Sequence, residues 1–180
     1  LGIFSLMEFT NMTKKFLKNK KNLHLANFIF LFYIISIFFI FFILNNYFQT
    51  KVLVFSLLFC CVASDIGGFV FGNLFKGPKL SKISPNKTIS GALGSLILSA
   101  IVLVVIFNFL SINFSMNIII IAIITSLSCQ LGDLFFSFLK RKAKIKDTGN
   151  FFPGHGGVLD RLDGLLLGIP IGFLSIIFFY

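Results

Sequence analysis

Five stretches of this 180-residue sequence run for long distances almost without a charge, and nothing constrains its fold more. They are Leu25 to Leu44, Val52 to Leu74, Gly91 to Leu110, Met116 to Leu139 and Leu165 to Tyr180. Backbone placed in hydrocarbon must satisfy its own hydrogen bonds, and a helix needs about 20 apolar residues to cross the ~30 Å core. The runs therefore predict an all-α, polytopic membrane helix bundle with about five transmembrane helices. The last run has 16 residues and predicts a tilted or partial span that ends on Tyr180 as an interfacial anchor. Composition agrees: 57% hydrophobic residues, 27 phenylalanines and a mean hydropathy of +0.98 exclude an ordinary soluble domain.

Charge sets the expected topology. Sixteen Lys and Arg face six acidic residues, a net charge of +10. Nucleic-acid binding modules do not carry such apolar runs, so the excess reads as cytoplasmic anchoring and capture of anionic lipids or nucleotides. Fifteen of the sixteen basic residues lie in three segments: before the first run, in Phe75 to Ser90, and in Lys140 to Gly164. The two remaining loops hold only Lys51. This asymmetry predicts a cytoplasmic N-terminus and two cytoplasmic loops. Residues 1–24 are expected to form a basic cytoplasmic segment and 25–180 a membrane-embedded catalytic domain. The chain opens on Leu1 rather than Met, as expected of a fragment or an unusual start codon, with Met7 an alternative start. No small-residue cleavage site follows the first run, which disfavours a signal peptide. Cys60, Cys61 and Cys129 lie inside apolar runs and make neither a CxxC site nor a disulfide framework.

The acidic residues are Glu8, Asp65, Asp133, Asp147, Asp160 and Asp163. A carboxylate inside a span costs at least a few kcal/mol on insertion scales and normally faces protein or a water-filled cavity. Asp65 is followed by Gly68 and Gly72, a small-residue face that fits close helix packing, with Asp65 as a cavity residue or an internal hydrogen-bond acceptor. Asp133 shares a helical face with Gln130 and Ser137 near the Lys140-Arg141 end. That stripe fits either interhelical glue or a ligand site.

The two long loops carry the rest. In the first, Ser84, Thr88 and Ser90 with Lys87 precede a helix N-terminus at Gly91, a setting suited to phosphate, although a solvated basic loop explains the charge alone. Neither GxxxxGK[ST] nor GxGxxG is present. In the second, Lys140, Arg141, Lys142, Lys144, Lys146 and Arg161 accompany Asp147, Asp160, Asp163 and a glycine-flanked His155. Asp160 and Asp163 are three apart and share a face if a helix starts near Val158. Carboxylates among lysines suit a hard divalent cation, Mg²⁺, shared with substrate phosphates, and hence phosphoryl or nucleotidyl transfer. With two histidines and no HExxH, zinc is disfavoured. The plainer reading has these aspartates pairing with Lys and Arg to fold the loop. Five of the six carboxylates lie near the cytoplasmic face, and Glu8 stands apart.

SFLKRKAKIKDTGNFFPGHGGVLDRLD, Ser137 to Asp163, resembles the C-terminal signature of phosphatidate cytidylyltransferases, and SDIGGFVFGNLFKGPKLSKISPNKTISG resembles their upstream segment and Ser-Pro-x-Lys-Thr loop. The resemblance runs from about Ser64 to the C-terminus. It implies transfer of CMP from CTP to phosphatidic acid with Mg²⁺, a second cation being an open option. It implies Asp133 and Asp160 as the metal-binding pair, Asp163 and Asp147 as additional or supporting ligands, and Lys87, Lys140, Arg141, Lys146 and Arg161, with Ser84 and Thr88, as phosphate contacts. His155 would orient or contact phosphate. The implied partners are CTP, phosphatidic acid and membrane lipids, with no nucleic acid and a homodimer left open, in a bacterial inner membrane with the site facing the cytoplasm. Ile89-Ser90 stands where family members often carry Trp-Glu, and the chain is shorter than usual, as a compact member or a truncated one would be. A polyprenol kinase-like or archaeal-lipid cytidylyltransferase, a small ion transporter using Asp65 and Asp133, and a non-catalytic fragment are the alternatives.

Overall fold

In the computed structural model the described residues are 2–44, 46–81, 83–110, 116–149, 151 and 156–179. They form α1 (Gly2–Lys14), α2 (Lys20–Leu44), α3 (Phe48–Phe75), α4 (Ile89–Phe109), α5 (Met116–Lys142) and α6 (Leu159–Phe179). Among the described residues there is no strand, only an isolated bridge between Lys79 and Thr88. Five helices, α2 to α6, are long and apolar enough to cross a membrane, so the chain is an all-α integral membrane protein.

The final span begins earlier than its apolar run. α6 has 21 residues and starts at Leu159; Asp160 in its first turn and Asp163 just beyond it hide this start from a hydropathy count. The N-terminal segment is helical as well, over Gly2–Lys14.

The chain divides into two compact units, one of residues 1–47 and 135–163, the other of residues 48–134 and 164–180. In the first, α1 lies on α2: Phe9 stacks on Phe30 with ring centroids 4.0 Å apart, and the Thr13 hydroxyl lies 3.2 Å from Asn27 Oδ1. α5 ends in a turn in which Lys144 takes a left-handed φ of 56°. The Ile145 amide reaches back to the Lys140 carbonyl and the Lys144 amide to that of Arg141, the paired bonds that close a helix C-terminus.

The second unit is built on close helix contact. Leu57, Cys60, Leu103, Phe107, Ile118 and Ile121 form its buried core. Lipid offers no hydrophobic drive between helices, so small residues that let backbones approach do the work. A Cβ on Gly67 would stand 2.6 Å from the Gly94 carbonyl oxygen, and one on Gly91 2.7 Å from that of Gly68. The Ser95 hydroxyl donates to the Ser64 carbonyl at 2.6 Å across the same α3–α4 seam. The small-residue face after Asp65 is thus a helix-packing surface.

Candidate functional site

The chain from the end of α5 to the first turn of α6 gathers its polar groups on one carboxylate. Asp160 Oδ2 accepts hydrogen bonds from the Thr148 amide at 2.8 Å and the Gly157 amide at 2.9 Å, and the Thr148 hydroxyl lies 3.0 Å away. Its other oxygen takes Lys140 Nζ at 2.9 Å. The same ammonium lies 3.4 Å from Asp163 Oδ2, so Lys140, from the last turns of α5, straddles two carboxylates three residues apart on α6. The spacing of Asp160 and Asp163 in the helix produces this shared face.

Glu8 belongs to this cluster, and sequence separation hid it. Its Oε1 accepts the Val158 amide at 3.0 Å and its Oε2 the Leu159 amide at 2.8 Å, with the Thr148 hydroxyl donating to Oε2 at 2.9 Å. These residues are 140 to 151 positions away. Ser5, Glu8, Phe9, Met12 and Thr13, the buried residues of α1, share one helical face, but three of them are polar and no apolar stripe marks that face in the sequence.

In the second unit Lys87 forms an ion pair with Asp133 of α5. Thr88 caps α4, its hydroxyl accepting the Gly91 amide at 3.1 Å and lying 3.0 Å from the Ser90 hydroxyl. The Ser84 carbonyl accepts the Lys87 amide at 3.1 Å and closes the turn that carries the lysine. Gln130, one turn before Asp133, lies 3.3 Å from the Ala92 carbonyl, within the α4–α5 seam. The Cys129 thiol is 3.8 Å from Asp65 Oδ1.

Asp160, Asp163 and Lys140 therefore meet in the first unit, and Asp133 and Lys87 in the second. Arg141, Lys146, Asp147 and Arg161 are exposed. Asp147 lies beside the glycine turn, its Cβ 3.6 Å from the place of a Cβ on Gly156, whose φ is 83°. His155 falls outside the described residues.

No three His, Cys, Asp or Glu side chains converge into a ready-made metal cluster among the described residues. Mg²⁺ does not require one, since it is bound through one or two carboxylates, water and substrate phosphates. The donor chemistry fits: Asp160 would offer a hard carboxylate oxygen, its Oδ2 oriented by the Thr148 and Gly157 amides, as outer partners orient metal-binding carboxylates. Among the described residues Lys140 pairs with Asp160 and Lys87 with Asp133.

Residues 1–179 match the profile of the cytidylyltransferase family. A phosphatidate cytidylyltransferase of Staphylococcus haemolyticus is 45% identical over 112 residues, covering 60% of this chain and 42% of the relative. One from Rickettsia felis is 42% identical over 129 residues, covering 65% and 56%, and one from Mycobacterium leprae 43% identical over 114 residues, covering 63% and 36%. The matched region is thus about half or less of these curated relatives' length.

Proposed function

The chain belongs to the cytidylyltransferase family, and from that premise we propose that it transfers CMP from CTP to phosphatidic acid, giving CDP-diacylglycerol and pyrophosphate. A phosphatidate oxygen attacks the α-phosphorus of CTP, a new P–O bond forms, and the bond to the β-phosphate breaks with its electron pair leaving on pyrophosphate. The attacking oxygen is already anionic near neutral pH, so no strong base is required. The barrier lies in bringing two polyanions together and aligning them.

The observation that carries this reading is the cluster of Lys140, at the end of α5, with Asp160 and Asp163, at the start of α6. Lys140 and Lys87 are the cations that would engage phosphate oxygens, with Arg141, Lys146 and Arg161 supplying further charge. Asp133 and Asp160 would hold Mg²⁺, with Asp163 and Asp147 supporting. When bound, Mg²⁺ neutralises triphosphate charge and steadies the leaving pyrophosphate. The excess of Lys and Arg in alternate loops supports a cytoplasmic site in a bacterial inner membrane, with CTP entering from the cytosol and the lipid from the bilayer. Asp65, beside Cys129 in the second unit, would line the cavity.

Pyrophosphate release from CTP and phosphatidate with Mg²⁺ tests the reading, with Asp133→Asn and Asp160→Asn as controls. Release is expected from the unaltered chain and loss from both variants. Release of CDP with a polyprenol acceptor, and no pyrophosphate with phosphatidate, overturns the phosphatidate assignment, and full activity in both variants overturns the metal-binding pair.

A further inference from the structure

Glu8 lies outside the chemistry just proposed, yet both its oxygens are engaged and the residue is only 9% exposed. What it binds is the start of α6. A helix N-terminus has amides with no partner inside the helix, and an N-cap side chain ordinarily takes them. Gly157, just before α6, has no side chain to offer. Asp160 accepts the Gly157 amide, and Glu8, reaching in from α1, accepts the next two, those of Val158 and Leu159. A carboxylate there is also favoured by the positive end of the helix dipole.

The glycines of the loop carry the same message independently. A Cβ on Gly149 would stand 2.6 Å from Glu8 Oε1, and one on Gly157 would collide with Glu8 Oε2 and the Thr148 hydroxyl. The space a side chain would fill is the space the Glu8 carboxylate occupies. Thr148 then joins the two carboxylates: its single hydroxyl hydrogen has Glu8 Oε2 at 2.9 Å and Asp160 Oδ2 at 3.0 Å.

We propose that Glu8 is a positioning residue for nucleotidyl transfer: as the N-cap of α6 supplied by α1, it fixes the loop that aims Asp160 and Asp163 at Lys140. The kinetic part rests on the cytidylyl-transfer reading, and the structural part does not. Glu8→Gln is the sharp variant, because it keeps size while turning an amide N–H₂ toward backbone donors.

The test uses the full chain in nanodiscs containing phosphatidate and compares amide hydrogen exchange at Val158 and Leu159, the thermal midpoint, and kcat and KM from pyrophosphate release. The expected result is faster exchange at those two amides and a kcat per folded molecule lower by about 10- to 100-fold, as when an outer partner of a ligand carboxylate is lost, with KM for phosphatidate unchanged. Unchanged exchange, or a loss confined to the folded fraction with kcat per folded molecule intact, overturns the proposal. If the unaltered chain releases no pyrophosphate, the transfer reading is overturned, and the exchange comparison alone then decides on Glu8. If Glu8→Gln yields no folded protein, Thr148→Val takes its place, with a fall of about tenfold or more expected for one hydrogen bond to a carboxylate and no change in either readout overturning the link.

Discussion

The two units hold their carboxylates by different means. In the first, Asp160 and Glu8 are each gripped by at least three donors drawn from the end of α5, the α5–α6 loop and the start of α6. In the second, Asp133 pairs with Lys87 on a turn, while the helices around it are fixed by glycine and serine contacts between backbones. Polar bonds set the geometry in one place and steric fit sets it in the other. A lysine on a surface turn can swing toward a phosphate at little cost, whereas a carboxylate with both oxygens bonded is held to one aim. The first unit is therefore the rigid half of the proposed chemistry and the second the adjustable half.

The largest expected effect comes from Asp160→Ala set against Asp133→Ala. The first strips the acceptor from Lys140, from two backbone amides and from the Thr148 hydroxyl, in a pair whose side chains are 12% and 9% exposed. Breaking a buried pair costs about 3–5 kcal/mol. Asp160→Ala should lower both the thermal midpoint and, by at least about a hundredfold, the activity. Asp133→Ala breaks a pair whose side chains are 28% and 27% exposed, so its stability cost should be about 1 kcal/mol or less while activity still falls. Equal losses of midpoint in the two variants would erase the contrast.

Glycine substitutions divide the units by readout instead. Gly157→Ala drives a methyl into Glu8 and Thr148, and Gly67→Ala drives one into the Gly94 backbone. Each overpacks its site by about 1–3 kcal/mol. In Gly67→Ala the cost should appear in the thermal midpoint as α3 and α4 separate. In Gly157→Ala it should appear chiefly in kcat, because the displaced group is the cap of α6. A kcat loss in Gly67→Ala larger than that in Gly157→Ala would reverse the assignment of roles.

The same division explains what could be read in advance. Five spans were visible because hydrocarbon demands long apolar runs, and Asp160 with Asp163 was visible because three-residue spacing is a local property. The true start of α6 was obscured by those same two aspartates. Glu8 was obscured for a different reason: α1 carries apolar residues all round, with Ile3 at 70% and Met7 at 57% exposure, so periodicity did not say which face turned inward. Thr88, which reads as a phosphate contact, also caps α4, since a hydroxyl before a helix suits both tasks. Contacts spanning 140 or more residues have no signature in a local pattern.

Removing the lysines comes next. Lys140→Met leaves Asp160 and Asp163 adjacent with their shared cation gone, whereas Lys87→Met leaves Asp133, which is more open to solvent. Lys140→Met should cost about 3 kcal/mol or more, and Lys87→Met at most about 1 kcal/mol, by chemical denaturation in the same detergent.

The smallest effect is the most discriminating, because it asks about environment rather than loss. At 0.1 M ionic strength the screening length is about 10 Å, falling to about 3 Å at 1 M, and screening acts on charges that water can reach. The Lys87–Asp133 pair, roughly a quarter exposed, should be substantially screened over that range, and the Lys140–Asp160 pair, at 12% and 9%, much less. Each pair is isolated by a double-mutant cycle, Lys87→Met with Asp133→Asn and Lys140→Met with Asp160→Asn, measured at both salts. The first coupling should shrink by about half or more and the second should persist, differences of a few tenths of a kcal/mol for an exposed pair. If both couplings decline together, the two lysines sit in equivalent surroundings, and the greater reach of Lys87 toward a phosphate loses its physical basis.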